Sequence, residues 1–308
     1  MPKEYRQIEW DAQVEDDCRQ LIRLAVREDL DRLYDWTTVA LVAEGVAGQA
    51  NVVARGSGVI AGLRAAKLTL EEYDRQIEWS PNVADGDSVE QGQVVARIAG
   101  PARSLLTAER PLLNILGRLS GIATLTRRYV DAVTGTGARI FDTRKTMPGW
   151  RRLEKLAVRA GGGWNHRLGL FDGVLIKDNH LAVGAAGNHD TRFTPAEAIA
   201  RVRLFIEGMS PGGAADDLLV EVEVDSLAQL DEVLPCSPDV ILLDNMGADL
   251  LRQAVARRNA IGPSVQLEAS GGITLANIRE IASSGVERIS IGALTHSASW
   301  FDVGLDWL

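Results

Sequence analysis

Leu218-Leu-Val-Glu-Val-Glu-Val224, Val240-Ile-Leu-Leu-Asp244 and Val265-Gln-Leu-Glu-Ala269 are three apolar, β-branched runs separated by stretches of helical spacing. Runs this short read as strands buried on both faces, because a covered parallel strand is near-continuously apolar. Outward from them the rhythm continues. Ala138-Arg-Ile-Phe-Asp142 and Gly173-Val-Leu-Ile-Lys177 lie upstream, and Arg288-Ile-Ser-Ile-Gly292 lies downstream. Between the runs, Leu153, Leu156, Ala157 and Ala160 fall at i, i+3, i+4, i+7. Thr194-Pro195-Ala-Glu197 combines an N-cap, a first-turn proline and a capping box. Thr274 is expected to open another capped helix after Gly271-Gly272. Strands alternating with helices are parallel and joined by right-handed crossovers, as in an α/β barrel or an open doubly wound sheet. Each run exits into polar groups: Asp142 to Lys145, Lys177 to Asn179, Glu221 to Asp225, Asp244-Asn245, Glu268 to Gly272 and Ser290 to Gly292. All strand ends of a barrel converge on one mouth, whereas an open sheet converges only at a switch point. The pattern therefore predicts a barrel.

The first ~115 residues lack this rhythm. Asn51 to Arg55 and Gly58 to Leu63 read as strands, and Ala65 to Tyr73 as a helix. Asn82 to Ile98 reads as a glycine-turned hairpin similar to a lipoyl carrier, but no lysine stands at its tip. A small α+β domain is expected instead. Leu105 to Val133 reads as a long helical connection, with Gly117 and Gly121 inside it and Pro111 as a candidate break.

Over 308 residues the formal net charge is −9, which argues against coating nucleic acid or an anionic membrane. No apolar run approaches the ~18 residues of a membrane span, and Met1 to Gln7 lacks a secretory apolar core. Cys18 and Cys236 make no disulfide framework, so a cytoplasmic location is expected. The mean hides a local reversal. Ala138 to His180 holds nine bases and four acids, an excess of five positive charges that leaves −14 for the rest. Such a cluster on an acidic chain points to a pocket for a small anion.

Two constellations refine that pocket. Glu268-Ala-Ser-Gly-Gly-Ile273 and Ser290-Ile-Gly-Ala293 place glycine turns at the last two strand ends, where barrels often bind phosphate. The plainer alternative, that Gly271, Gly272 and Gly292 merely turn the chain, must explain two such turns in succession. In the basic cluster, Arg152, Lys155 and Arg159 are expected on the solvated side of their helix. Arg144, Lys145, His166, Arg167 and Lys177 remain at strand ends or in glycine-rich loops. Arginine clamps carboxylates and lysine suits phosphate or a developing anion, so the set fits a polyanionic, carboxylate-bearing substrate. Glu223 and Asp244 close two adjacent strands, either to hold Mg²⁺ with substrate oxygens or to pair with the bases opposite. Glu221 is expected to face away from Glu223. No HExxH, CxxC or Walker A motif occurs, and His180, His189 and His296 read as surface or structural groups.

Taken in order, Asp142-Thr-Arg-Lys-Thr-Met-Pro-Gly149, Gly161 to Leu181, Glu221-Val-Glu-Val224, Leu243-Asp-Asn-Met246 and Glu268 to Ile273 resemble the quinolinate phosphoribosyltransferase family. Thr107 to Asn114, Arg27 to Leu30 and Asp35 to Thr38 extend the likeness over nearly the whole chain. Thr146-Met147-Pro148-Gly149 departs from the family's Thr-Thr-Pro-Gly without removing a charged residue. The resemblance implies an N-terminal open α/β sandwich (1–116), with 293–308 packing back on it, and an incomplete six- or seven-stranded α/β barrel (117–292). It implies phosphoribosyl transfer from phosphoribosyl diphosphate to quinolinate with decarboxylation, in NAD biosynthesis. It further implies a homodimer whose site takes Arg110 from the neighbouring subunit. Arg110, Arg144, Lys145, His166, Arg167 and Lys177 would hold quinolinate, and Thr143 would also bind substrate. Glu223, Asp244, Ser270, Gly271, Gly272, Gly292 and Ala293 would hold phosphoribosyl diphosphate and Mg²⁺. Lys145, Lys177, Glu223 and Asp244 would be catalytic. Alternatives are a related phosphoribosyltransferase-like protein of molybdenum transport, with the same fold and another substrate, and, from another class, a non-catalytic sensor of a phosphorylated metabolite.

Overall fold

The short β-branched runs of the second half pair in parallel, because successive runs are joined by helix-containing crossovers of about a dozen residues or more. A computed structural model describes residues 3–184, 193–209 and 218–308. Along the first part of the chain run α1 (Ala12–Leu30), α2 (Trp36–Leu41), β1 (Ala47–Ala54), β2 (Gly58–Val59) and α3 (Leu63–Tyr73). Then come β3 (Glu78–Pro81), β4 (Ser88–Val89), β5 (Val94–Pro101) and α4 (Ala102–Ala132). The alternating part comprises β6 (Arg139–Phe141), α5 (Arg151–Ala160), β7 (Val174–Ile176), α6 (Asp178–Gly184), α7 (Pro195–Met209), β8 (Val220–Val224) and α8 (Leu227–Val233). It continues through β9 (Val240–Asp244), α9 (Ala248–Ile261), β10 (Gln266–Ser270), α10 (Ile278–Ala282), β11 (Arg288–Ser290) and α11 (Ala293–His296), and β12 (Val303–Trp307) ends the chain.

Two compact units result. One comprises Met1–Gln7, Tyr129–Arg144 and Trp164–Ile291, and the other Ile8–Arg128, Lys145–Gly163 and Gly292–Leu308. In the first unit six strands form one parallel sheet in the order β6-β11-β10-β9-β8-β7. Its two end strands, β6 and β7, do not pair with each other, so the barrel is incomplete. Register sets the functional ends: Glu223 stands beside Leu242, Asp244 beside Ser270, and Glu268 beside Arg288. The α7 capping box is made in full. Thr194 N–H donates to Glu197 Oε2 at 2.9 Å and Glu197 N–H to Thr194 Oγ1 at 3.2 Å.

In the second unit an antiparallel sheet of order β12-β1-β5-β3 packs over an apolar cluster that includes Val52, Ile60, Leu70, Ile98, Leu105, Leu112, Leu116 and Phe301. Each such side chain contributes roughly 1.5–3 kcal/mol by leaving water. A β-carbon at Gly121 of α4 would fall 2.1 Å from Ser299 O, so this glycine admits the close pass of the C-terminal segment.

Several expectations are corrected. Helix α4 runs unbroken through Pro111. The expected Asn82–Ile98 hairpin does not form: β4 pairs with β2, and β5 pairs with β1 and β3. Gly271-Gly272 leads into a turn, and α10 starts only at Ile278, because the Asn277 side chain accepts the Thr274 N–H and donates to Gly272 O. In α5, Arg159 is exposed as expected but Lys155 is wholly buried, with Glu154 beside it. A helix covered on two sides overrides a one-stripe reading: Glu154 Oε1 accepts from Arg118 Nη2 at 2.5 Å, and α1 packs on the same helix.

Candidate active site

Asp142, at the end of β6, organises the first part of the site. It is fully buried, and its carboxylate accepts from Asn165 Nδ2 at 2.7 Å and from the His166 N–H at 2.9 Å. Trp164 pairs with Phe141 in an isolated parallel bridge, so residues 164–166 run alongside β6 before Arg167. That conformation brings Arg144 and Arg167 near enough for their charges to interact. Burial, and then the Arg144 charge, lower the Arg167 guanidinium below its ordinary pKa, while Tyr5 and Glu221 oppose them. A desolvated guanidinium gains from an anion beside it.

Across the sheet, Lys177 after β7 donates Nζ to Glu223 Oε2. Glu223 and Glu221 lie two residues apart and therefore share a face of β8, which corrects the expectation that Glu221 turns away. Asp244 ends β9 next to Ser270, and Asn245 N–H donates to Ser270 O at 2.8 Å. Gly271 has φ +90°, and a β-carbon there would lie 2.3 Å from Asn245 Oδ1. Only glycine makes this turn while leaving backbone exposed to a ligand. Glu223 and Asp244 supply hard oxygens on adjacent strands, the donor set that Mg²⁺ takes when substrate phosphates complete its shell.

In the other unit, Lys145 Cδ lies where Gly292 has no side chain, 2.8 Å from the position a β-carbon would take. Thr295 Oγ1 donates to Lys145 O at 2.9 Å, which ties this lysine to the Gly292–Ala293 segment. Arg110 is exposed on α4. Thr143 is half-buried, and His189 lies outside the described residues. Each unit thus gathers its own part of the predicted set: Thr143, Arg144, His166, Arg167, Lys177, Glu223, Asp244 and Ser270 to Gly272 in one, and Arg110, Lys145, Gly292 and Ala293 in the other.

Beneath the first part lies a polar core that sequence reasoning missed. Tyr5 OH donates to Glu221 Oε2 at 2.5 Å, and Arg288 Nε donates to Glu268 Oε2 at 2.8 Å and Nη1 to Glu4 Oε2 at 2.9 Å. The Arg288 guanidinium also lies 4.0 Å from the Phe141 ring centroid. Burial would raise the Glu221 carboxyl, but His166, Arg288 and the Tyr5 hydroxyl outweigh it and hold the group below the ordinary range. Burial, then the Glu221 charge, push Tyr5 up, so its hydroxyl keeps the proton it donates. His166 Nε2 lies 3.0 Å from Glu221 Oε2 and its Nδ1 accepts from the Arg167 N–H at 2.8 Å, so both ring nitrogens are engaged within the protein. The available signals were acids inside apolar strands, Glu221 and Glu268, and an arginine opening another, Arg288.

A parallel, incomplete barrel with clustered cations, two strand-end acids and a glycine turn defines the class of phosphoribosyltransferase-like α/β barrels. Residues 35–120 match the model of the quinolinate phosphoribosyl transferase N-terminal domain, and 122–306 that of its C-terminal domain. The chain is 46% identical to the nicotinate-nucleotide pyrophosphorylase [carboxylating] of Mycobacterium leprae, over 94% of this chain and 97% of that protein. It is 39% identical to a probable enzyme of that name from Bacillus subtilis, over 89% and 90%. Among solved structures it is similar to the nicotinate-nucleotide pyrophosphorylase of Francisella tularensis, with a TM-score of 0.86, 31% identity and coverage of 99% and 100%. The chain belongs to the quinolinate phosphoribosyltransferase family.

Proposed function

We propose that this chain transfers the phosphoribosyl group of 5-phosphoribosyl 1-diphosphate to quinolinate with decarboxylation, yielding nicotinate mononucleotide, CO₂ and pyrophosphate. The observation that carries this reading is Arg167, a buried guanidinium whose one hydrogen bond to described residues is the long contact from Nη1 to Gly173 O at 3.5 Å, which leaves donors for a substrate carboxylate. Lys177 and Lys145 supplement that charge. Glu223, Asp244 and the Ser270 to Gly272 turn face the diphosphate and ribose, with Gly292 and Ala293 as further phosphate contacts. Mg²⁺, when bound by Glu223 and Asp244 with substrate oxygens, neutralises charge on the diphosphate.

The ring nitrogen of quinolinate attacks ribose C1 as pyrophosphate departs, through an oxocarbenium-like transition state. Positioning of the two substrates supplies much of the acceleration. The 2-carboxylate then leaves as CO₂, its electron pair stays on the ring carbon beside the cationic nitrogen, and that carbon takes a proton. Lys145 and the arginines stabilise the transient negative charge where water is excluded. Glu223 is ion-paired with Lys177 in the substrate-free chain, and the same carboxylate would hold Mg²⁺ while Lys177 would face substrate phosphate or carboxylate.

We infer a homodimer in which Arg110, exposed on α4, completes the neighbouring subunit's site. Among the described residues no helix is long and apolar enough to cross a membrane. A cytoplasmic location is supported by Cys18 and Cys236, both free thiols. The decisive test is incubation with quinolinate, phosphoribosyl diphosphate and Mg²⁺. Nicotinate mononucleotide and CO₂ formed in equal amounts are expected, and a substrate screen that finds turnover only with another acceptor would overturn the assignment.

A further inference from the structure

His166 belongs to the motif Asn165-His166-Arg167, yet its ring is turned inward, away from a ligand's role. The residue is 5% exposed, and its ring packs on Tyr5 with centroids 4.4 Å apart. A ring nitrogen that accepts a backbone N–H carries no proton itself. The Arg167 N–H therefore places the imidazole proton on Nε2, which donates to Glu221. Glu221 Oε2 also accepts the Tyr5 hydroxyl, so one oxygen holds both partners. Arg167 is in a different state. The one guanidinium hydrogen bond it makes to described residues is a long one, Nη1 to Gly173 O at 3.5 Å. Most of its five donors are thus uncommitted beside a second cation, Arg144.

Resting on the quinolinate reading above, we propose that Tyr5, Glu221 and His166 are positioning residues. They lock the imidazole as its neutral Nε2–H tautomer, Nδ1 holds the Arg167 amide, and Arg167 rather than His166 meets the substrate's carboxylate. The N-terminal segment, through Tyr5, is then part of the substrate-binding apparatus without touching substrate. A neutral ring with both nitrogens engaged is a poor carboxylate receptor, whereas a guanidinium with open donors is a good one.

The chain's four histidines make the tautomer directly readable by ¹⁵N NMR of histidine-labelled protein, with the His166 signals assigned through His166→Asn. The expected spectrum shows His166 as the Nε2–H form both before and after saturating quinolinate. Conversion to imidazolium, or loss of the Nε2–H form on adding quinolinate, overturns the relay, because it marks direct contact with substrate. Kinetics give a second readout. Tyr5→Phe is expected to raise KM for quinolinate about tenfold while leaving KM for phosphoribosyl diphosphate within about twofold. His166→Asn, whose Oδ1 can accept the Arg167 amide, is expected to retain more quinolinate affinity than His166→Leu. Equal loss in both His166 variants, or equal change for both substrates in Tyr5→Phe, argues for a merely structural role and refutes the proposal. Absence of turnover by the wild-type protein would instead refute the functional reading, and the substrate-free tautomer still tests the relay.

Discussion

Lys145 lies across Gly292: the Lys145 Cδ stands 2.8 Å from where a Gly292 β-carbon would be, with His296 Nε2 at 3.1 Å. Gly292 has φ −66° and ψ −30°, a conformation any residue adopts, so alanine there brings no backbone strain. It would push aside a flexible side chain, which costs little stability but moves the ammonium. Gly292→Ala is expected to fold with a nearly unchanged Tm while kcat/KM falls by about 10- to 100-fold. Steady-state rates alongside thermal unfolding check this.

Arg144 and Arg167 are proposed to hold the dicarboxylate. Either one replaced by alanine should lower kcat/KM for quinolinate about 100-fold or more, the loss of a charge-assisted contact worth about 3 kcal/mol. The far-ultraviolet circular dichroism should stay unchanged. A near-normal rate for both variants would remove the carboxylate assignment.

Gly271 combines φ +90° with a β-carbon position 2.3 Å from Asn245 Oδ1. Gly271→Ala is expected to cost about 1–2 kcal/mol in stability and to raise KM for phosphoribosyl diphosphate more than KM for quinolinate. Isothermal titration with each substrate separates the two effects.

Arg288 is fully buried between Glu268 and Glu4. Arg288→Met leaves those acids without their cation, and a loss of about 3–5 kcal/mol is expected. Adding Glu268→Leu should recover part of that loss. The denaturation midpoints of the single and double variants provide the comparison.

Asp85 titrates in the opposite sense from a paired carboxylate. The residue is exposed as a whole, but desolvation of its carboxylate against the start of α3 raises its pKa above the ordinary 3.8, and the N–H groups of Leu63 and Gly62 only partly offset it. An acid whose folded pKa is raised gives its full stability below the unfolded pKa and loses it as pH rises through the folded value. Asp85→Asn can keep the bond from Leu63 N–H, so its stability relative to wild type should grow as pH rises above about 3.8 and then level off. Thermal melts across acidic to neutral pH show the trend, and a constant difference would refute it.

Homodimeric site sharing has its own test. Arg110→Ala and Lys177→Ala, each inactive alone, should regain activity when mixed through refolding, because a heterodimer has one intact site if Arg110 is donated across a twofold. No recovery would place Arg110 in its own subunit's site or outside any site.

Local chemistry was enough to read the barrel. Six apolar runs with polar exits announce parallel strands, and the α7 cap forms as Thr194 and Glu197 predict, because period and capping depend on near neighbours. The strand-end cations, Glu223 and Asp244, and the Ser270 to Gly272 turn were equally legible. What failed involved partners distant in sequence. Lys155 reads as solvated until α1 and Arg118 cover its helix, and the Thr274 helix start yields to the Asn277 side chain. Tyr5 carries no motif; it acquires a role only because Glu221, 216 residues away, accepts its hydrogen bond.

The local basic cluster, the strand ends and the family likeness were thus settled by sequence alone, since charge and period are properties of contiguous residues. Tertiary structure alone decided which members point where. His166 faces Glu221 and the Arg167 amide, Arg167 keeps open donors, and Lys145 lies over Gly292. A hydrogen bond requires two groups within about 3 Å, and sequence separation says nothing about that distance.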